Sequence, residues 1–106
     1  QLIEQLELAI VVGEYPPGEK IPGVRDLAAQ AQVNPNTMQR ALAELEARGL
    51  LETQRTAGRT VTGDVEKIAQ TRRALAQTLV HHFYHQAAAL GLTKAEIAAL
   101  LEQEEA

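Results

Sequence analysis

Asn36, Gln39, Arg40 and Ala43 recur at three- and four-residue steps, which at about 100° per residue places them on one helix face. Asn and Gln amides hydrogen-bond an adenine edge bidentately, and an Arg guanidinium a guanine edge. An Ala lets a helix lie close in a major groove. Thr37 and the free amides of the helix start suit phosphate oxygens. Arg25 falls in the first turn of the preceding helical pattern, where the macrodipole disfavours a cation unless an anion lies in front of it. Arg55 and Arg59 flank a turn, from which they would reach a phosphate backbone or a minor groove. Each has a plainer reading: solvated polar residues on a helix and a loop, or, for Arg25, an ion pair with Asp26 or Glu19.

A second group is His81, His82 and His85. The i, i+4 pair His81 and His85 has the spacing of two imidazoles on one metal, but no Cys exists to complete a site. Glu96 approaches only from the next helical segment, so packing near an interface, where pH modulates contact, is the stronger reading. Phe83 and Tyr84 read as core. With no Ser and no Cys, serine triads, thiol nucleophiles, disulfides and iron–sulfur sites are excluded, and no Gly-rich phosphate loop follows a strand. No catalysis and no cofactor is expected.

The elements that must position these residues fit in 106 residues, one domain or a domain with a short appendage. Ile3, Leu6 and Ile10 give a first helix over Leu2–Val12, stopped by Gly13 and Tyr15-Pro16-Pro17-Gly18, with Glu4 and Glu7 off its apolar face. A short helix over Val24–Ala31 buries Val24, Leu27 and Ala28. Asn34 then caps a helix with Pro35 first, whose Met38, Ala41, Leu42 and Leu45 face inward until Gly49. That is a helix-turn-helix. Leu50–Gln54 and Arg59–Thr62 read as strands around Thr56-Ala57-Gly58, a hairpin wing that closes a first domain at residues 1–63. Asp64 caps a long helix from Val65 to about Leu90 with an apolar stripe of Ile68, Leu75, Leu79, Phe83, Ala87 and Leu90. After Gly91, Thr93 and Glu96 form a capping box before Ile97, Leu100 and Leu101. Two helices in residues 64–106 are too few to bury their apolar faces internally, so Ile68, Leu75, Leu79, Phe83, Leu90, Ile97, Leu100 and Leu101 should form a seam with a second chain. The fold class expected is mainly α with a small β-hairpin wing, a winged helix-turn-helix followed by a two-helix dimerisation domain.

Ten basic against fourteen acidic residues leave a net charge of −4, not the usual footprint of nucleic-acid binding. The distribution matters more. Residues 34–43 contain no acid, and Arg55 and Arg59 are the only charges in residues 54–63. Acids gather at Glu4, Glu7, Glu44, Glu46 and the tail Glu102, Glu104 and Glu105, which should weaken nonspecific binding. No stretch approaches the roughly 18 apolar residues of a membrane span and no signal peptide opens the chain, so no membrane partner and a cytoplasmic location are expected.

The segment Pro17-Gly18-Glu19-Lys20-Ile21-Pro22-Gly23-Val24-Arg25-Asp26-Leu27-Ala28 resembles the PGxxLPSVRxLA signature of GntR-family transcriptional regulators. Val33 to Leu42 is similar to their VNPNTVxRAL recognition helix, and Glu46 to Thr53 to the ExxGLLET run. The match covers residues 1 to about 62, and the remainder looks like the short YtrA-type C-terminal domain. Two departures from it matter. Gly23 replaces the Ser before Val-Arg, and the wing's Arg-x-Gly-x-Gly-Thr has become Arg55-Thr56-Ala57-Gly58-Arg59-Thr60. The resemblance implies a homodimeric repressor binding twofold-symmetric double-stranded operator DNA, with an adjacent ABC transporter operon as the implied target and no effector identified. Residue chemistry and resemblance together nominate Arg25, Asn34, Asn36, Thr37, Gln39, Arg40, Arg55, Gly58 and Arg59 as the DNA interface. Two other classes stay open: a winged-helix protein-interaction module without DNA, and a sensor of a metal or small ligand.

Overall fold

The computed structural model describes residues 1–56 and 58–105. The elements run α1 Leu2–Val11, α2 Val24–Ala31, α3 Pro35–Ala47, β1 Leu51–Gln54, β2 Gly58–Val61, α4 Val65–Ala89 and α5 Lys94–Glu102. They divide into two compact units, Gln1–Arg72 and Arg73–Ala106, with α4 contributing to both.

In the first unit α1 opens with the Gln1 side chain accepting from the Glu4 amide at 3.2 Å, a cap of modest quality. Leu6, Ala9, Ile10 and Val11 bury one face. Glu7, expected off that face, is buried with them because its Oε2 accepts from Arg48 Nη1 at 2.9 Å. Helix α2 begins at Gly23 without a side-chain cap and buries Leu27 and Ala28, while Val24 is only half-buried. Its C-cap Gln32 adopts the left-handed conformation, φ 57°, turning the chain sharply into α3. There the Asn34 Oδ1 accepts from the Asn36 amide at 2.7 Å, with Pro35 in the first turn. Met38, Ala41, Leu42 and Leu45 are all buried, so α3 turns a single apolar face to the core.

The hairpin pairs antiparallel with Leu51 opposite Val61 and Thr53 opposite Arg59. Leu50 is buried ahead of β1, yet its carbonyl accepts from the Thr62 amide at 2.9 Å, so pairing continues past the strand ends. Ala57, central to the expected turn, lies outside the described residues. The segment before α2 is more ordered than a loop. Gly18 donates to the Val61 carbonyl and Val61 back to Glu19, both at 2.9 Å, and Ile21 donates to Arg59 at 3.0 Å. Lys20 bridges Thr60. This stretch acts as a short third strand on the outer edge of β2.

Asp64 Oδ1 accepts from the Lys67 amide at 3.1 Å at the start of α4, and the helix ends one residue before Leu90. In the second unit α5 carries the expected capping box. The Glu96 amide donates to Thr93 Oγ1 at 3.2 Å and the Thr93 amide to Glu96 Oε1 at 2.8 Å, which lowers the Glu96 carboxyl pKa. The expected seam residues differ in exposure. Ile68 and Ile97 are buried within their own chain, because each is the inward apolar residue of the first turns of its helix. Leu79, Phe83, Leu90, Leu100 and Leu101 remain exposed, Leu79 at 71%, and Leu75 is half-buried.

Candidate nucleic-acid interface

Asn36, Thr37, Gln39, Arg40 and Ala43 are all exposed, opposite the buried face of α3. Asn36 and Thr37 sit in the first turn, where amides lack intrahelical partners. Asn34 is adjacent, its Oδ1 engaged in the cap and its side-chain amide nitrogen left as a donor for a phosphate. Arg25 is exposed in the first turn of α2. Among the described residues Arg25, Arg40 and Arg55 form no ion pair; the proposed bridges of Arg25 to Asp26 or Glu19 do not form.

The acids of α3 are handled differently. Glu44 accepts from Arg48 Nε at 2.9 Å, and Arg48 also holds the buried Glu7. Glu46 Oε1 accepts from Arg59 Nε at 2.8 Å, and its other oxygen from the Thr53 hydroxyl. Glu46 is therefore neutralised by Arg59, Glu44 shares the single charge of Arg48 with Glu7, and the N-terminal half of α3 carries no acid. The net charge of −4 thus sits away from the N-terminal half of α3.

The wing arginines part company. Arg55 is exposed and unpaired among the described residues, as an anion contact requires. Arg59, expected to project from the wing, folds back onto α3, because Glu46 offers a carboxylate within reach of the middle of β2. Gly58 has φ +77°, a conformation that favours glycine, and a Cβ there would sit 3.7 Å from Lys20 Cε. Lys20 is thus an exposed cation beside the wing that spacing did not nominate; its signal, a lone Lys in a turn-rich stretch, has no periodicity to reveal it. Glu46 was likewise missed, since its partner lies in a strand 13 residues on.

Hydrogen bonds from Thr53 and then Arg59 hold the Glu46 carboxyl below its usual range. Its folded pKa lies below the unfolded one, so its stabilising contribution is complete above the unfolded value and lost as pH falls through the folded one. The tie between α3 and the wing should survive mild acidification. An NMR titration of the Glu46 carboxyl carbon checks this; a midpoint at or above that of a free glutamate would contradict it.

The histidines belong to the second unit. His81 and His85 have ring centroids 4.3 Å apart, edge to face, and His82 is 6.2 Å from His81. Among the described residues no three His, Cys, Asp or Glu side chains gather as a metal site. No described helix is long and apolar enough to cross a membrane.

A helix-turn-helix whose second helix presents amide and guanidinium groups outward, followed by an antiparallel hairpin, is a winged-helix DNA-binding protein. The profile of "Bacterial regulatory proteins, gntR family" matches residues 1–61. The chain belongs to the gntR family, and it is a DNA-binding transcriptional regulator. It is 37% identical to the uncharacterized HTH-type transcriptional regulator YhcF of Bacillus subtilis over 97 residues, 92% of this chain and 80% of the relative. It is 32% identical to the HTH-type transcriptional repressor YtrA of the same organism, over 79% of this chain and 69% of that one. A solved GntR family transcriptional regulator from Listeria monocytogenes superposes with a TM-score of 0.89 at 36% identity, covering 99% of this chain and 92% of the other. The YtrA-type resemblance and the winged-helix expectation both hold.

Proposed function

We propose that the protein is a homodimeric, cytoplasmic repressor that binds a twofold-symmetric operator through α3 and represses an operon, with an ABC transporter operon the first to examine. The observation that carries it is the outward face of the N-terminal half of α3, which is free of acids and bears Asn36, Gln39 and Arg40, with Arg40 in no ion pair among the described residues. Asn36, Gln39 and Arg40 read base edges; Thr37, Asn34, Arg25 and Arg55 hold the backbone, with Gly58 allowing the wing its turn. YtrA, a relative described as a repressor, supports the direction of regulation. Residues 1–63 serve as the DNA-binding domain and 64–106 as the dimerisation domain, whose seam is the half-buried Leu75 with the exposed Leu79, Phe83, Leu90, Leu100 and Leu101. No step in this activity is enzymatic.

Arg40→Ala should lower specific operator affinity by about 1–3 kcal/mol per half-site and relax specificity at one base position. Thermal unfolding should be unchanged, because the side chain is exposed. Gel shift against an operator selected from random duplexes reads this; equal binding by the variant would remove Arg40 from the base-reading face.

Salt dependence tests the backbone contacts. Arg25 and Arg55 on each of two subunits give four cations, so log affinity against log salt should fall with a slope of about −4, at roughly 0.9 per phosphate. A flat slope would return the weight to a protein-interaction role.

A further inference from the structure

We propose that Arg59 serves DNA binding as a positioning residue, tying the wing to the recognition helix through Glu46 instead of contacting a phosphate. The proposal rests on the operator-binding reading above. One carboxylate collects donors from both strands of the hairpin. Arg59 in β2 donates to Oε1 at 2.8 Å, and Thr53, directly opposite it in β1, donates its hydroxyl to Oε2. The ion pair is partly withdrawn from water, its side chains 17% and 28% exposed, so competition from solvent is reduced. Glu46 lies near the C-terminal end of α3, the helix that presents Asn36, Gln39 and Arg40. Beyond the covalent link at residues 48–50, this tie fixes how the hairpin is rotated against the reading face.

The backbone of Arg59 strengthens the point. Its carbonyl accepts from Ile21 at 3.0 Å, so the residue that holds α3 by its side chain holds the segment leading into α2 by its main chain. A phosphate that drew this guanidinium away would leave Glu46 unneutralised on the element that meets DNA. One charge would be gained at the phosphate and one repulsion uncovered beside it. The same account explains why Arg stands where the resembling wing pattern has Gly: a glycine could not reach α3.

The two roles predict opposite signs for one substitution. If Arg59 is a tie, Glu46→Gln and Arg59→Ala should each weaken specific operator binding by about three- to tenfold. The double variant should be no weaker than either single one, and the salt slope should stay at the wild-type value. Specific binding should suffer more than binding to unrelated duplex, a split that mere loss of stability would not produce at a temperature where every variant is folded. If Arg59 is a phosphate ligand, Arg59→Ala should reduce the slope by about two units per dimer, and Glu46→Gln should tighten binding by removing an acid. Either of those results overturns the proposal, as does an Arg59→Ala variant that binds as well as the wild type. The operator probe is a duplex selected from random-sequence DNA with the wild-type protein. A wild type that selects no duplex sinks the operator reading instead. The tie is then judged alone, by amide hydrogen exchange at Val61 and Thr62, whose amides bond Glu19 and Leu50: faster exchange in both single variants supports it, and unchanged exchange refutes it.

Discussion

Replacing Leu79 and Phe83 by Asp in the same chain is expected to yield a monomer that has lost operator binding. Both side chains are exposed in the isolated chain, Leu79 at 71% and Phe83 at 44%, so neither supports its fold. In a seam with a second copy they would be desolvated, and a carboxylate there has no partner. Two half-sites held by one dimer bind together through their high effective concentration. Separating the subunits should therefore lower operator affinity by about two orders of magnitude or more. Sedimentation velocity and gel shift read the two effects in one sample set, and circular dichroism confirms the retained helices. An unchanged dimer would move the seam elsewhere. A wild type that is already monomeric at micromolar concentration would remove it.

Leu45→Ala should instead act on the fold. Leu45 is completely buried on the inward face of α3, and Met38, Ala41 and Leu42 are buried on the same face. Truncating a core Leu costs about 2–5 kcal/mol, depending on how far the site collapses. Domains of this size have about 5–15 kcal/mol in total, so the variant should unfold at much lower denaturant and bind DNA only where it remains folded. Arg40→Ala, on the opposite face of the same helix, should show the reverse pattern, with affinity lost and stability kept. A Leu45→Ala variant within about 0.5 kcal/mol of wild type would show the site is not close-packed.

The helix-turn-helix was the most legible part of this chain. Its signals are local: Asn34-Pro35 at a helix start, apolar residues at three- and four-residue steps, and Gly49 after the last turn. The Thr93–Glu96 capping box was equally readable because both partners fall within four residues. What spacing could not supply were pairings between distant segments. Glu7 looked like a solvent-facing carboxylate because Arg48, which makes its burial tolerable, is 41 residues away. Arg59 looked free because Glu46 belongs to a different element. No strand was expected at residues 18–21, because their hydrogen-bond partners are main-chain atoms of β2, which carry no side-chain pattern. Ile68 and Ile97 shared the apolar stripes of their helices, and periodicity alone does not say which members of a stripe face their own chain.

The ladder that joins Gly18 and Glu19 to Val61 has a kinetic consequence. Its partners are separated in sequence by all of α2, α3 and β1, so it closes only after the chain between them has been brought together. Contacts of such long sequence separation are the slow ones, whereas α2 and α3 need only neighbours. The expected order is therefore helices first and the wing's outer edge last. On the ribosome, the same edge must wait until residue 61 has been synthesised, leaving residues 18–21 without their partner throughout that interval. Substitutions in this ladder should then speed unfolding with little change in folding rate, while those at Met38 or Leu42 should slow folding itself.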